Sequence, residues 1–113
     1  MNKVVLIGRL AKNVELKYTP NDKAVASFTL AVSRERDKEN ADFLPCVVWG
    51  KQAEILQKYV FKGNKLAVEG KIQNKTWEKD GVRKYKTEII VISFEFLEKK
   101  KDNNNQADEE VPF

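Results

Sequence analysis

The chain has 113 residues, enough for one domain with a modest core, and its 42% apolar and 34% charged residues place it among globular proteins. Histidine is absent and Cys46 is the single cysteine, which excludes an internal disulfide, a Cys/His metal site and any mechanism that needs an imidazole base. Of the 21 Lys/Arg and 17 Asp/Glu, residues 98–113 hold three and five, so a body of net +6 that suits a polyanion is followed by a segment of net −2.

No apolar run approaches the roughly 18–20 residues that cross a bilayer, and MNKVVLIGRLAKN lacks a small-residue cleavage site, so neither a span nor a signal peptide is expected. KVVLIGRL (3–10) is β-rich and apolar on both faces, with Val4, Leu6 and Leu10 on one and Val5 and Ile7 on the other. Such a strand is expected to be covered on both faces, with another copy of the chain as a candidate for the second cover. YTPNDK (18–23) is a turn set by Pro20, Asn21 and Asp22. AVASFTLAVSR (24–34) alternates as a half-buried strand, Phe28, Leu30 and Val32 against Ser27, Thr29, Ala31 and Ser33. ERDKENAD (35–42) is a polar loop.

FLPCVVWG (43–50) is a third strand, with Leu44, Cys46 and Val48 toward the core and Phe43, Val47 and Trp49 on the open face. Pro45 cannot donate to a ladder and predicts an edge or an irregularity. KQAEILQKYVFKG (51–63) changes period: Ala53, Leu56 and Val60 follow helical spacing, Ile55 and Tyr59 lie beside them, and Gly63 is the expected stop. NKLAVEGKIQNKTW (64–77) is a strand with Leu66, Val68 and Ile72 inward and Glu69, Lys71, Gln73, Lys75 and Trp77 outward. Asp80-Gly81 marks a hairpin into a long strand over 84–98, and residues 99–113 read as a disordered tail. The expected fold is all-β, a five-stranded OB-fold barrel with one short helix between strands 3 and 4. Residues 1–98 form the domain and 99–113 the tail.

No nucleophile–base pair, phosphate loop or metal spacing is present, so no catalytic, cofactor or metal site is expected. The acids Glu35, Asp37, Glu39 and Asp42 read as a solvated loop in preference to a cation site. The informative pattern is aromatic residues among cations on faces that should be wet. Phe43 and Trp49 share a strand face, and Trp77 shares one with Lys71 and Lys75 beside a hairpin bearing Lys79, Arg83, Lys84 and Lys86. Arg34 and Arg36 stand where the second strand leaves the sheet. Unpaired nucleic acid needs this mixture: cations for its phosphates and flat apolar surfaces for its bases, each stack contributing about 1–3 kcal/mol. Each ring alone reads equally well as core packing; three together on basic outward faces favour binding. Cys46 reads as a small buried hydrophobe.

NKVVLIGRLAKNVELKYTPNDKAVASFTLAVS, VVWGKQAEILQKYVFKGNKLAVEGKI, WEKDGVRKYKTEIIV and the final DEEVPF together resemble the single-stranded DNA-binding protein family of bacteria and their phages over nearly the whole chain. The resemblance implies an OB-fold, a homotetramer, and a cytoplasmic, nucleoid-associated protein without enzymatic activity. It implies base stacking by Phe43, Trp49 and Trp77 and phosphate contacts from basic residues on the same faces, with Lys51, Lys62 and Lys75 at basic positions of the family pattern. It also implies roles in DNA replication, recombination and repair. The acidic tip of Asp108, Glu109, Glu110, Val111, Pro112 and Phe113 would dock partner enzymes, its ring entering an apolar pocket and its acids meeting Lys or Arg. Three positions depart from the pattern: Arg36 stands where an aromatic is frequent, Phe43 where Trp is frequent, and Pro45 where a base is frequent. An OB-fold primosome assembly factor and an RNA-binding OB module are the alternatives that the residues leave open.

Overall fold

Alternating apolar and polar residues lay down six strands and one helix in a computed structural model that describes residues 1–37 and 39–98. In chain order these are β1 (Val4–Leu10), β2 (Glu15–Tyr18), β3 (Ala24–Ser33), β4 (Ala41–Trp49), α1 (Lys51–Tyr59), β5 (Lys65–Lys79) and β6 (Val82–Phe96). β1 pairs with both β3 and β5, β5 with β6, β6 with β4, and β4 with β3, which closes a ring of five strands. All these pairings are antiparallel except β4–β6. This is the expected five-stranded OB-fold barrel, with the helix between its third and fourth strands. The expected tail over 99–113 lies outside the described residues.

β2 adds a strand that the sequence pattern does not mark. It pairs with β3 from Glu15 opposite Ser27 to Tyr18 opposite Ala24. The turn between them is closed by the Thr19 N–H donating to the Lys23 carbonyl (2.9 Å) and the Asp22 N–H to the Thr19 carbonyl (2.8 Å), with Asp22 at φ 66°. Four residues with Leu16 as their one inward apolar side chain carry too little periodicity to stand out.

The core lies inside the ring and beneath α1. Leu10, Ala26, Leu30, Cys46, Val48, Leu56, Leu66 and Val68 are at most 2% exposed. α1 contributes Ala53 and Leu56 from one side. It ends earlier than expected, at Tyr59: Val60 is extended at φ −124° yet still buried, and Gly63 at φ +91° turns the chain rather than capping the helix. That turn is fastened to β1, because the Leu10 N–H donates to the Asn64 carbonyl (3.0 Å) and the Gly63 N–H to the Leu10 carbonyl (2.8 Å).

Pro45 is tolerated for a readable reason. The Thr29 carbonyl opposite it accepts from the Ala11 N–H on the β1 side, so Thr29 asks nothing of β4 at that pair. The imide nitrogen of Pro45 then faces the β6 side, where the ladder starts only at Cys46.

β5 and β6 both outrun the barrel. The register shifts between Glu69 and Gly70: Glu69 faces Ser93 and Gly70 faces Val91, leaving Ile92 as the extra residue of a bulge. That insertion lets Ile89 and Val91 point inward on one side of it while Phe94 and Phe96 pack inward on the other. Gly70 is required here, since a Cβ would run into the Ile90 carbonyl. Beyond the bulge the strands form a free-standing arm in which residues 71–87 are all exposed. Ile72 lies on this arm and is 47% exposed, which corrects its expected place in the core: its alternation continues past the point where the barrel ends. Asp80 and Gly81 close the arm with φ 54° and 79°, the two left-handed residues of a type I′ turn.

Cys46 is 1% exposed, and burial pushes its thiol up to about 12. Neutral thiols are poor nucleophiles. The folded protein is expected to resist iodoacetamide at pH 8, and to be alkylated at Cys46 only after unfolding, as read by intact-mass spectrometry. Leu56→Ala should lower stability by about 2–5 kcal/mol in urea unfolding, because it empties a fully enclosed position of the core.

Candidate nucleic-acid interface

Residues paired across a ladder project from the same face of the sheet, so register decides which side chains meet. Val47 of β4 pairs with Ile90 of β6, and Ile90 pairs with Lys71 of β5. Counting outward by twos from that row puts Phe43, Pro45, Val47 and Trp49 on the same outer wall as Lys84, Lys86 and Glu88 of β6. Lys71, Gln73, Lys75, Trp77 and Lys79 of β5 join them. The row on the other side of Val47, Cys46 with Ile89, is buried, which confirms the parity. Three rings predicted from two separate segments therefore share one continuous face. They remain open to solvent: Phe43 is 64%, Trp49 47% and Trp77 42% exposed.

Phe43 and Trp49 are six residues apart on β4, about 20 Å at some 3.3 Å per residue. Between them Pro45 and Val47 form a low apolar floor, and a groove of ≈ 140 Å³ opens there against Lys12, Ser27, Thr29 and Lys86. Trp77 is carried by the arm, where its cross-strand partner is Lys84. Lys75 sits directly opposite Lys86, so like charges face each other across the arm. Lys86 has some relief from Glu88 at 3.9 Å.

The remaining expected residues are placed less centrally. Lys51 opens α1 immediately after Trp49 and the Gly50 turn (φ 80°) and is exposed. Lys62 lies in the turn after the helix, where its backbone N–H donates to Asn13 Oδ1 (2.7 Å), and Asn13 lines the groove. Arg34 and Arg36 are in the β3–β4 connection beyond Phe43. The Arg34 guanidinium is committed to Asp42 Oδ1, with Nε at 3.1 Å and Nη2 at 2.9 Å, so its charge is already partly answered. Arg36 is exposed. Arg83 projects from the other face of the arm with Tyr85, opposite Glu78. The acids of this connection build the turn itself, since Asn40 Nδ2 donates to Asp37 Oδ2 (2.8 Å) and the Asn40 N–H to the Asp37 carbonyl (3.2 Å). Among the described residues no group of three or more acids or cysteines could hold a metal ion.

Two cations of this wall escaped sequence reading. Lys17 shares a cross-strand row with Val25 and Trp49. The unrecognised β2 hid it. Lys12 reaches the groove only because the Ala11 N–H ties its loop to the Thr29 carbonyl (2.9 Å), a long-range contact that no local pattern announces.

The family model described as the single-strand binding protein family matches residues 1–97. The chain belongs to that family. It is similar to single-stranded DNA-binding protein 3 of Clostridium acetobutylicum, 56% identical over 110 residues that cover 93% of this chain and 76% of the relative. Single-stranded DNA-binding protein 2 of the same species is 51% identical over 109 residues, 92% of this chain and 82% of the relative. The single-stranded DNA-binding protein of Bacillus cereus is 45% identical over 111 residues, 94% of this chain and 65% of a longer relative. Within this single-strand binding family member, the matched region contains the whole outer wall described above.

An electrostatic consequence can be read without nucleic acid. In a Trp49→Phe variant, the ratio of iodide to caesium quenching of Trp77 fluorescence is expected to exceed the ratio for N-acetyltryptophanamide at the same ionic strength, because lysines concentrate anions around an accessible indole. A ratio equal to that of the free indole would mean that the arm's lysines do not set the potential at the ring.

Proposed function

We propose that this family member binds single-stranded DNA without sequence preference, coating it transiently, blocking re-pairing and nuclease attack, and carrying out no catalysis of its own. One observation supports this most: Phe43, Trp49 and Trp77 stand exposed on one wall with Lys51, Lys62, Lys71, Lys75, Lys79, Lys84 and Lys86 on it or at its rim. Every base offers a π-face, so stacking on rings tolerates any sequence, while lysines neutralise the phosphates between stacks. Arg36 extends the same chemistry beyond Phe43, and Arg34 joins it once a phosphate displaces Asp42.

Val5 (64% exposed), Ile7 (52%) and Ile92 (59%) leave apolar surface on the barrel wall, which supports self-association, with a homotetramer as the proposed state. The acidic and apolar residues 108–113 suit a tether that recruits enzymes of replication, recombination and repair in the cytoplasm, at the nucleoid.

Titration of dT oligomers should quench tryptophan fluorescence and give a log–log salt dependence of about −0.7 per phosphate neutralised. Trp77→Ala should weaken binding by about 1–3 kcal/mol. Unchanged affinity would remove Trp77 from the site, and preference for an RNA oligomer of the same sequence would replace DNA as the ligand.

A further inference from the structure

The arm that carries Trp77 is poorly supported by its own contacts. Residues 71–87 are all exposed, and a two-stranded hairpin is marginal in water when nothing covers it. Its lysine-bearing face adds the opposed pair Lys75 and Lys86. Something outside the hairpin has to hold its base.

That support comes from Asn2. The β1–β5 ladder ends where Val4 faces Gly70, and the same register carried two residues further places Asn2 opposite Ile72. There the chain uses a side chain instead of backbone. Asn2 Nδ2 donates to the Ile72 carbonyl (2.7 Å), and the Ile72 N–H donates to Asn2 Oδ1 (2.9 Å). One primary amide supplies both halves of a cross-strand hydrogen-bonded pair, at the first inward-facing row beyond the barrel. Next to it Lys3 Nζ meets Glu69 Oε2 at 2.9 Å, on the last barrel row before the bulge.

We propose that Asn2 is a positioning residue for single-strand binding: its amide pins the root of the β5–β6 arm and so aims the Trp77 ring along the wall that holds Phe43 and Trp49. Asn2 acts through Ile72 and touches no nucleic acid. The proposal rests on the reading of that wall as a single-stranded DNA site, and the test separates the two.

In a Trp49→Phe background, where Trp77 is the one indole, Asn2→Ala should speed amide exchange at Ile72 and raise the amplitude of fast anisotropy decay at Trp77. The full chain should also bind a dT oligomer about three- to tenfold more weakly, the scale of one or two lost hydrogen bonds. Repeated in a Trp77→Ala background, the same substitution should change affinity less than about twofold, because the group it positions is gone. Unaltered exchange and anisotropy would overturn the proposal, and so would an affinity loss of equal size in both backgrounds, which would place Asn2 at the DNA or in the barrel. If Trp77→Ala alone leaves affinity unchanged, the DNA reading of the arm fails. If it weakens binding while Asn2→Ala does not, only the role of Asn2 fails.

Discussion

Two cross-strand pairs, Cys46 with Ile89 and Val47 with Ile90, join the β3–β4 half of the sheet to the β5–β6 half. They are the only parallel rungs among the described strands, and they do two things at once. They close the ring, which removes the long open edges that β4 and β6 would otherwise present. They also fix parity. With Cys46 and Ile89 sealed inside, every second residue on both strands must lie outside, and rings from two distant stretches of the chain, Phe43 and Trp49 on β4 and Trp77 on β5, come onto one wall. A slip of one residue at this junction would turn Trp77 and its lysines to the opposite side.

The lysine-rich face of the arm costs stability in a way that its proposed binding role would explain. A hairpin designed only to be stable would alternate charges across its ladder, whereas this one sets Lys75 against Lys86 and leaves Trp77 and Tyr85 in water. In the proposed complex a polyanion along the arm would release this repulsion, and part of the proposed interaction with phosphate would come from that relief. The barrel tolerates this because its own core does not extend into the arm, whose contribution to folding is small.

Most of the architecture was legible because most strands alternate cleanly. Phe28 and Leu30 against Ser27 and Thr29, and the spacing of Ala53, Leu56 and Val60, identify buried faces directly. Asp80-Gly81 specifies its turn by the φ values that turn demands. What escaped did so for physical reasons. The run IIVISFEF contains apolar residues at both parities, so the bulge at Ile92 is invisible until pairing partners are known. Ile72 continues a core pattern past the end of the core. Lys12 and Lys17 belong to the wall through tertiary hydrogen bonding and a four-residue strand. The helix limit at Tyr59 reflects Val60 being needed as a buried extended residue, which outweighs the stop that Gly63 suggests.

The enclosure of Cys46 has a practical corollary. A sole thiol that is sealed against the barrel interior does not compete for maleimide dyes. A cysteine placed at the solvent-facing tip of the arm would then be the single labelling position in the chain. A fluorophore there could report the arm's movement against a barrel left chemically untouched, with no need to replace the native residue first.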